Sequence, residues 1–402
     1  MDVLYGVRMT GPLAPHATGL AGELARLGFT ETSARAQLGL AAHLSRWLAA
    51  AGLGTMALTV AVVEEYLAAR RVAGYTAYRT PKALAPLLGY LRELGAAPQP
   101  EIAAPATHAE ALLERYRRYL LAERGLREKV VRGYVDSVRP FVVSHAADGG
   151  TDLRRLTAGD VTAFLTGESR RLAPKTAQRL ATALRSLLRF WHVEGLISGP
   201  LDRAVPQVAN RRPGLPRPLE PAQVQALLAS CDLGTAGGRR DLAMMTLLAR
   251  LGLRAGEVAG LRLDDIDWRR GEITIAGKGN RRDRLPLPAD AGELVAGWLQ
   301  QGRPPTALDR SVFIRVKAPH RGLTACGVTM AVFAAGQRAG LGTIYAHRLR
   351  HSAATAMLAE GGSLAEIGQV LRHRRPATTA AYTKVNIEAL RALARPWPGA
   401  SS

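Results

Sequence analysis

Residues 240–288 read RDLAMMTLLARLGLRAGEVAGLRLDDIDWRRGEITIAGKGNRRDRLPLP, and two periods meet inside this stretch. As far as about Leu261 the apolar residues recur at helical spacing. Beyond it come two short runs, GEITIAG and DRLPLP, joined by the turn-forming GKGN, a pattern that predicts a β-hairpin. SVFIRV, from residue 311, reads as a third strand, and helices are expected to resume from about Gly327. Upstream, LEPAQVQALLASC predicts a capped amphipathic helix opening the same domain. This part of the chain is therefore expected to be a helical body enclosing a small antiparallel sheet.

Working outward, two proline-rich stretches read as linkers: GAAPQPEIAAPATH at 95–108 and VPQVANRRPGLPRPLEP at 205–221. Proline removes helix donors and holds its predecessor extended. The expected division is an N-terminal helical domain at 1–100, a second helical domain at 107–205 and the mixed domain at 215–402. The first two resemble each other. LTVAVVEEYL at 58 and LLGYLRELG at 87 return as LTAGDVTAFL at 156 and LLRFWHVEG at 187, which predicts an internal duplication of a four- or five-helix unit. Thr59 and Thr157 are the expected N-caps of one short helix in each copy.

The chain has 402 residues, 47% of them apolar, enough for two or three cored domains. Its 54 Lys and Arg against 33 Asp and Glu give a formal charge of +21. Charges are rarely buried unpaired, so much of this positive charge must face solvent, and a polyanion is the implied partner. The sequence has no apolar run of membrane-spanning length, no signal-type segment and no lipidation motif. Nucleic acid is thus preferred to a membrane surface. Cys231 and Cys326 lie far apart without metal-ligand spacing, as expected of reduced thiols in a cytoplasmic protein. No nucleotide or metal cofactor is expected: G-x-x-x-x-G-K-[ST] is missing, as is a carboxylate cluster suited to paired magnesium ions.

Four segments remain: GLRAGEV with Arg254, GKGNRRDR with Lys278, HRLRHSAAT with His347 and Arg350, and LRHRRPATTAAYTKV with His373 and Tyr382. Taken singly, they read as a helix-end cation, a solvated hairpin tip, a capping histidine and a core tyrosine. Taken together and in this order, they resemble the tyrosine recombinases, the family of phage integrases and Xer-type enzymes, whose signature is Arg, Lys, His-x-x-Arg, His or Trp, and Tyr. Glu257 falls at the family's acidic position, three residues after the first arginine. The resemblance covers 215–395 closely and 107–205 more weakly, as the family's SAM-like core-binding domain. It reaches 1–100 only through the internal repeat. The fold it implies is mainly α, with tandem N-terminal SAM-like helical domains and a catalytic domain carrying a small antiparallel sheet.

These residue types also make chemical sense together. A phosphodiester attacked by a phenol needs preorganised cations around its non-bridging oxygens. Arg254 and Arg350 supply guanidinium forks. His347, three residues from Arg350 on one helix face, is placed to take the proton of Tyr382, the nucleophile. His373 is expected to donate to a non-bridging oxygen. Lys278 is expected to protonate the departing 5′ oxygen, its pKa lowered by Arg281, Arg282 and Arg284. Arg281, Arg282 and Arg348 are expected at the DNA backbone, Arg372, Arg374 and Arg375 at the backbone or in solvent, and His351 packed near the site.

The resemblance further implies double-stranded DNA recombination sites as substrate, held in a clamp formed by the second and third domains. It also implies a tetramer on two sites, with accessory DNA-bending or directionality proteins as possible partners. Residues 386–402 are expected to form a short helix that docks on a neighbour or packs in cis. The extra N-terminal domain favours an integrase or transposase of a mobile element. A Xer-like dimer resolvase, a type IB topoisomerase-like enzyme and a catalytically silent DNA-binding relative are the alternatives.

Overall fold

The computed structural model describes residues 5–100, 105, 107–146, 153–208, 218–277 and 282–372. The chain forms two compact units, one made of 1–100 together with 215–402, the other of 101–214.

Within the first unit, residues 1–100 carry α1 (Ala17–Arg26), α2 (Glu31–Ala50), α3 (Val60–Val72) and α4 (Pro81–Glu93). Leu24, Leu44, Leu48, Tyr66, Leu84 and Leu91 fill a core of their own. Thr30 and Thr59 cap α2 and α3 by accepting from the backbone N–H groups of Ser33 and Val62. Caps of this kind contribute about 1 kcal/mol each.

The second unit also carries four α-helices, α5 (His108–Ala122), α6 (Glu128–His145), α7 (Ala158–Ser169) and α8 (Pro174–Val193). Here Tyr116, Phe141, Leu184, Leu187 and Trp191 form the core. Thr157 caps α7 in a full capping box with Asp160. Positions matched in the sequence repeat are buried in both copies: Val63 and Leu67 correspond to Val161 and Leu165, and Leu87, Leu88 and Leu91 to Leu187, Leu188 and Trp191.

The rest of the first unit begins with α9 (Pro221–Ala229), α10 (Ala236–Leu251) and α11 (Ala255–Gly260). The sheet follows, with order β1 (Ile266–Asp267), β2 (Glu272–Ala276) and β3 (Arg282–Pro286), all antiparallel. Ile273 pairs with Ile266 on one side and Leu285 on the other, so the buried face of the sheet lies against the helices. Then come α12 (Ala289–Gln301), α13 (Ala325–Arg338), α14 (Ala346–Ala359) and α15 (Leu364–Val370). The central core gathers Met244, Leu248, Val258, Ile275, Trp298, Phe313, Val332 and Leu349. Burying each such side chain contributes about 1.5–3 kcal/mol. Residues 1–100 touch this body where the His320 N–H donates to the Leu27 carbonyl at 3.1 Å.

Two expectations need correction. SVFIRV is not a strand of the sheet: it makes only isolated bridges at Ser311 and Ile314. Its carbonyls are taken instead by side chains, Val312 O by Trp298 Nε1 at 2.8 Å and Ile314 O by Arg240 Nη1 at 3.2 Å. Val312, Phe313 and Ile314 are all fully buried, as a segment threaded through the core requires. Helix also resumes earlier than expected, at Ala289 in α12, half of whose buried residues are small (Ala291, Gly292), the others being Val295 and Trp298.

Candidate active site

Helix α10 ends at Gly252, whose φ of +57° lies in the left-handed region. A β-carbon there would also come within 2.4 Å of Leu371 and 3.5 Å of Ala353. Glycine holds this φ without strain and leaves Leu371 undisplaced, and the tight stop turns the chain into Leu253 and Arg254. Arg254 is the N-cap of α11, and Glu257 sits at that helix's third position.

The Glu257 carboxylate is nearly buried and fully engaged. Its Oε1 accepts from Arg254 Nη1 at 2.7 Å, while Oε2 accepts from the Arg254 backbone N–H at 2.8 Å and from Arg372 Nη2 at 2.7 Å. Burial pushes the Glu257 pKa up, but the backbone bond from Arg254 and the charges of Arg372 and Arg254 outweigh it and hold the group below the usual carboxylate range. The Glu257 carboxylate orients Arg254, whose own side chain stays half exposed.

Arg350 comes from α14 and is only 2% exposed. Its Nη1 donates to Gly252 O and its Nη2 to Leu371 O. Arg254 Nη2 reaches the next carbonyl, Arg372 O, at 3.4 Å. The two arginines thereby tie the 252–257 turn to residues 371–372, which immediately precede His373 in the chain. His347, one turn before Arg350, is exposed, and its ring meets that of His351 edge to face at a centroid distance of 4.2 Å.

Arg254, Glu257 and Arg350 are thus brought together, with His347 on the same helix as Arg350. Arg348 points elsewhere, towards Pro218 O at 3.5 Å, beside the bond from Leu219 N–H to Ser352 Oγ. Arg282 begins β3 as an exposed residue paired with Ala276. Lys278, Arg281, His373, Arg374, Arg375 and Tyr382 lie outside the described residues, as does 386–402.

Arg372 corrects the expectation of a DNA-backbone or solvated charge: its side chain is 8% exposed and pairs with Glu257. Gly252 is a further residue that the motif reading passed over, although a glycine directly after a helical run is a stop signal visible in sequence. Among the described residues, no group of three or more His, Cys, Asp or Glu is arranged to hold a metal ion. Nor is any helix of the described residues long and apolar enough to cross a membrane.

Comparison with known proteins supplies the class. Residues 217–389 match the phage integrase family, and residues 113–195 match the phage integrase N-terminal SAM-like domain. A putative integrase/recombinase, y4rA of Sinorhizobium fredii, is 40% identical over 97% of this chain and 95% of its own length. The tyrosine recombinase XerD of Listeria monocytogenes is 32% identical over 68% of this chain and 94% of its own. Among solved structures, a XerH recombinase bound to palindromic difH in a post-cleavage complex has a similar fold, with a TM-score of 0.60 and 19% identity over 72% of this chain and 97% of that one. The chain belongs to the phage integrase family of tyrosine recombinases, and it is a site-specific DNA recombinase.

Proposed function

We propose that this chain is the recombinase of a mobile element, and that it cuts each DNA strand with Tyr382 and holds it as a 3′-phosphotyrosine. The Tyr382 oxygen attacks phosphorus, its proton passes to His347, and the 5′ oxygen leaves with a proton from Lys278. Arg254, Arg350 and His373 stabilise the charge on the non-bridging oxygens. Attack by a new 5′ hydroxyl reverses these steps, so the phosphodiester bond energy is conserved and no ATP is required. The observation that carries this reading is the joining of Arg254 and Arg350 to residues 371–372 across the Gly252 turn.

The substrate would be two duplex recombination sites bound by four protomers in the bacterial cytoplasm, on the nucleoid, with accessory DNA-bending or directionality proteins as further partners. The mobile-element assignment rests on residues 1–100. The y4rA protein aligns over nearly the whole chain, whereas the Listeria XerD relative matches only about two thirds of it. A Xer-like resolvase would need no such domain. Cleavage is expected to proceed in EDTA, leaving a free 5′ hydroxyl and a 3′ end blocked by protein. A strict magnesium requirement would overturn the mechanism.

Residues 1–100 we read as a second copy of the core-binding unit, making contacts to DNA outside the crossover core. The stretch 68–82, AARRVAGYTAYRTPK, carries bases and no acid. Arg70 is not among its contact residues: it is buried, with its guanidinium 4.0 Å from the centre of the Tyr75 ring and donating to Ala77 O. Around that anchorage Arg71 in the last turn of α3, Arg79 in the connecting loop and Lys82 in the first turn of α4 are all exposed. Each phosphate they neutralise adds about 0.9 to the log–log salt slope. Deleting 1–100 should weaken binding and flatten that slope, while saturating protein still cleaves a suicide substrate. An unchanged slope would leave the domain to protein contacts.

A further inference from the structure

Arg372 sits at a costly position. It is a non-glycine residue with φ of +55°, at the left-handed step that ends α15. Side chains with a β-carbon rarely adopt this conformation, and glycine would hold it without strain. Its Nε is buried without a hydrogen-bond partner among the described residues, a second cost that stability alone does not select for. Local strain of this kind collects at working sites.

What the side chain does there is specific. Nη1 donates to Val370 O at 3.1 Å, closing the turn on itself, and Nη2 donates to Glu257 Oε2 at 2.7 Å, across 115 residues of sequence. The carbonyl of the same residue accepts from Arg254 Nη2. Arg372 and Arg254 therefore hold each other through Glu257 and the backbone. A buried carboxylate paired with Arg254 alone would cancel that cation. Shared between two guanidinium groups, Glu257 leaves the trio one positive charge in excess, and Arg350 adds another.

We infer that Arg372 is a positioning residue of the recombination site: it shares Glu257 with Arg254, so that Arg254 keeps its charge for the scissile phosphate, and it fixes the turn from which the chain enters His373. The inference rests on the proposed roles of Arg254 and Tyr382. It also predicts that the contribution is made through Glu257 and not through contact with DNA.

The test compares Arg372→Gly, Arg372→Lys, Glu257→Gln and the double variant Arg372→Gly/Glu257→Gln in single-turnover cleavage of a suicide duplex, with thermal melting measured in parallel. Glycine relieves the backbone while removing the guanidinium. Arg372→Gly should melt near the wild type and bind the duplex with near-normal affinity, yet cleave about 10- to 100-fold more slowly at saturating protein. Lysine keeps the cation opposite Glu257 and should recover most of the rate. The double variant should be no slower than the slower single variant, as expected when two groups act as one unit. Wild-type cleavage by Arg372→Gly, or rate losses that multiply in the double variant, would overturn the inference. So would a loss in Arg372→Lys as large as in Arg372→Gly, or a rate loss in Arg372→Gly matched by a fall in its melting temperature below that of the assay. If the wild type itself forms no covalent complex in this assay, the reading of Tyr382 falls, not the role of Arg372.

Discussion

Replacing Tyr382 by phenylalanine is expected to abolish covalent attachment to DNA and to leave binding to the recombination site nearly unchanged. The substitution removes one hydroxyl and no charge, so the cationic surface that sets affinity is untouched. In the proposed mechanism the phenol oxygen is the atom that bonds to phosphorus, and attack by water in its place would hydrolyse the strand instead of conserving the bond. Loss of a covalent nucleophile registers as a fall of order 10⁴ or more in rate. A gel resolving protein–DNA adduct from free DNA reads the effect directly, beside a mobility shift for binding. Cleavage at the wild-type rate would move the assignment to Tyr345, which is half exposed, sits at the N-terminal boundary of α14 two residues before His347 and stacks on Phe333.

The second large effect is at Lys278. Lys278→Ala is expected to slow cleavage by about 10² to 10⁴, the range for a lost general acid. The decisive arm uses a substrate whose 5′ bridging oxygen is sulfur. A thiolate leaves without a proton, so this substrate should restore the rate of the variant while changing the wild type little. Failure of the rescue would give Lys278 a role in binding the phosphate, and the proton would have to come from elsewhere.

The helix-to-hairpin switch at 240–288 was legible because the period of the apolar residues changes where the backbone does. The residues that meet at Gly252 were legible only as a set: nothing local distinguishes Arg254 from an ordinary helix-end cation. SVFIRV misled because a run of β-branched and aromatic residues looks the same whether its carbonyls face a strand or the side chains of Trp298 and Arg240. Helix α12 was missed because alanine and glycine fill much of its buried face, which weakens the helical period. Arg372 was misread for a deeper reason. In a chain of net charge +21 an arginine beside Arg374 and Arg375 reads as surface, and its burial depends on a carboxylate 115 residues away. Pairing over that distance leaves no periodic trace.

The most direct measurement is to digest the trapped protein–DNA complex with nuclease and protease and locate the residual nucleotide by mass spectrometry. The predicted result is one nucleotide joined through its 3′ phosphate to Tyr382, formed in EDTA as readily as in magnesium. A nucleotide on any other residue, or a 5′ linkage, would contradict it.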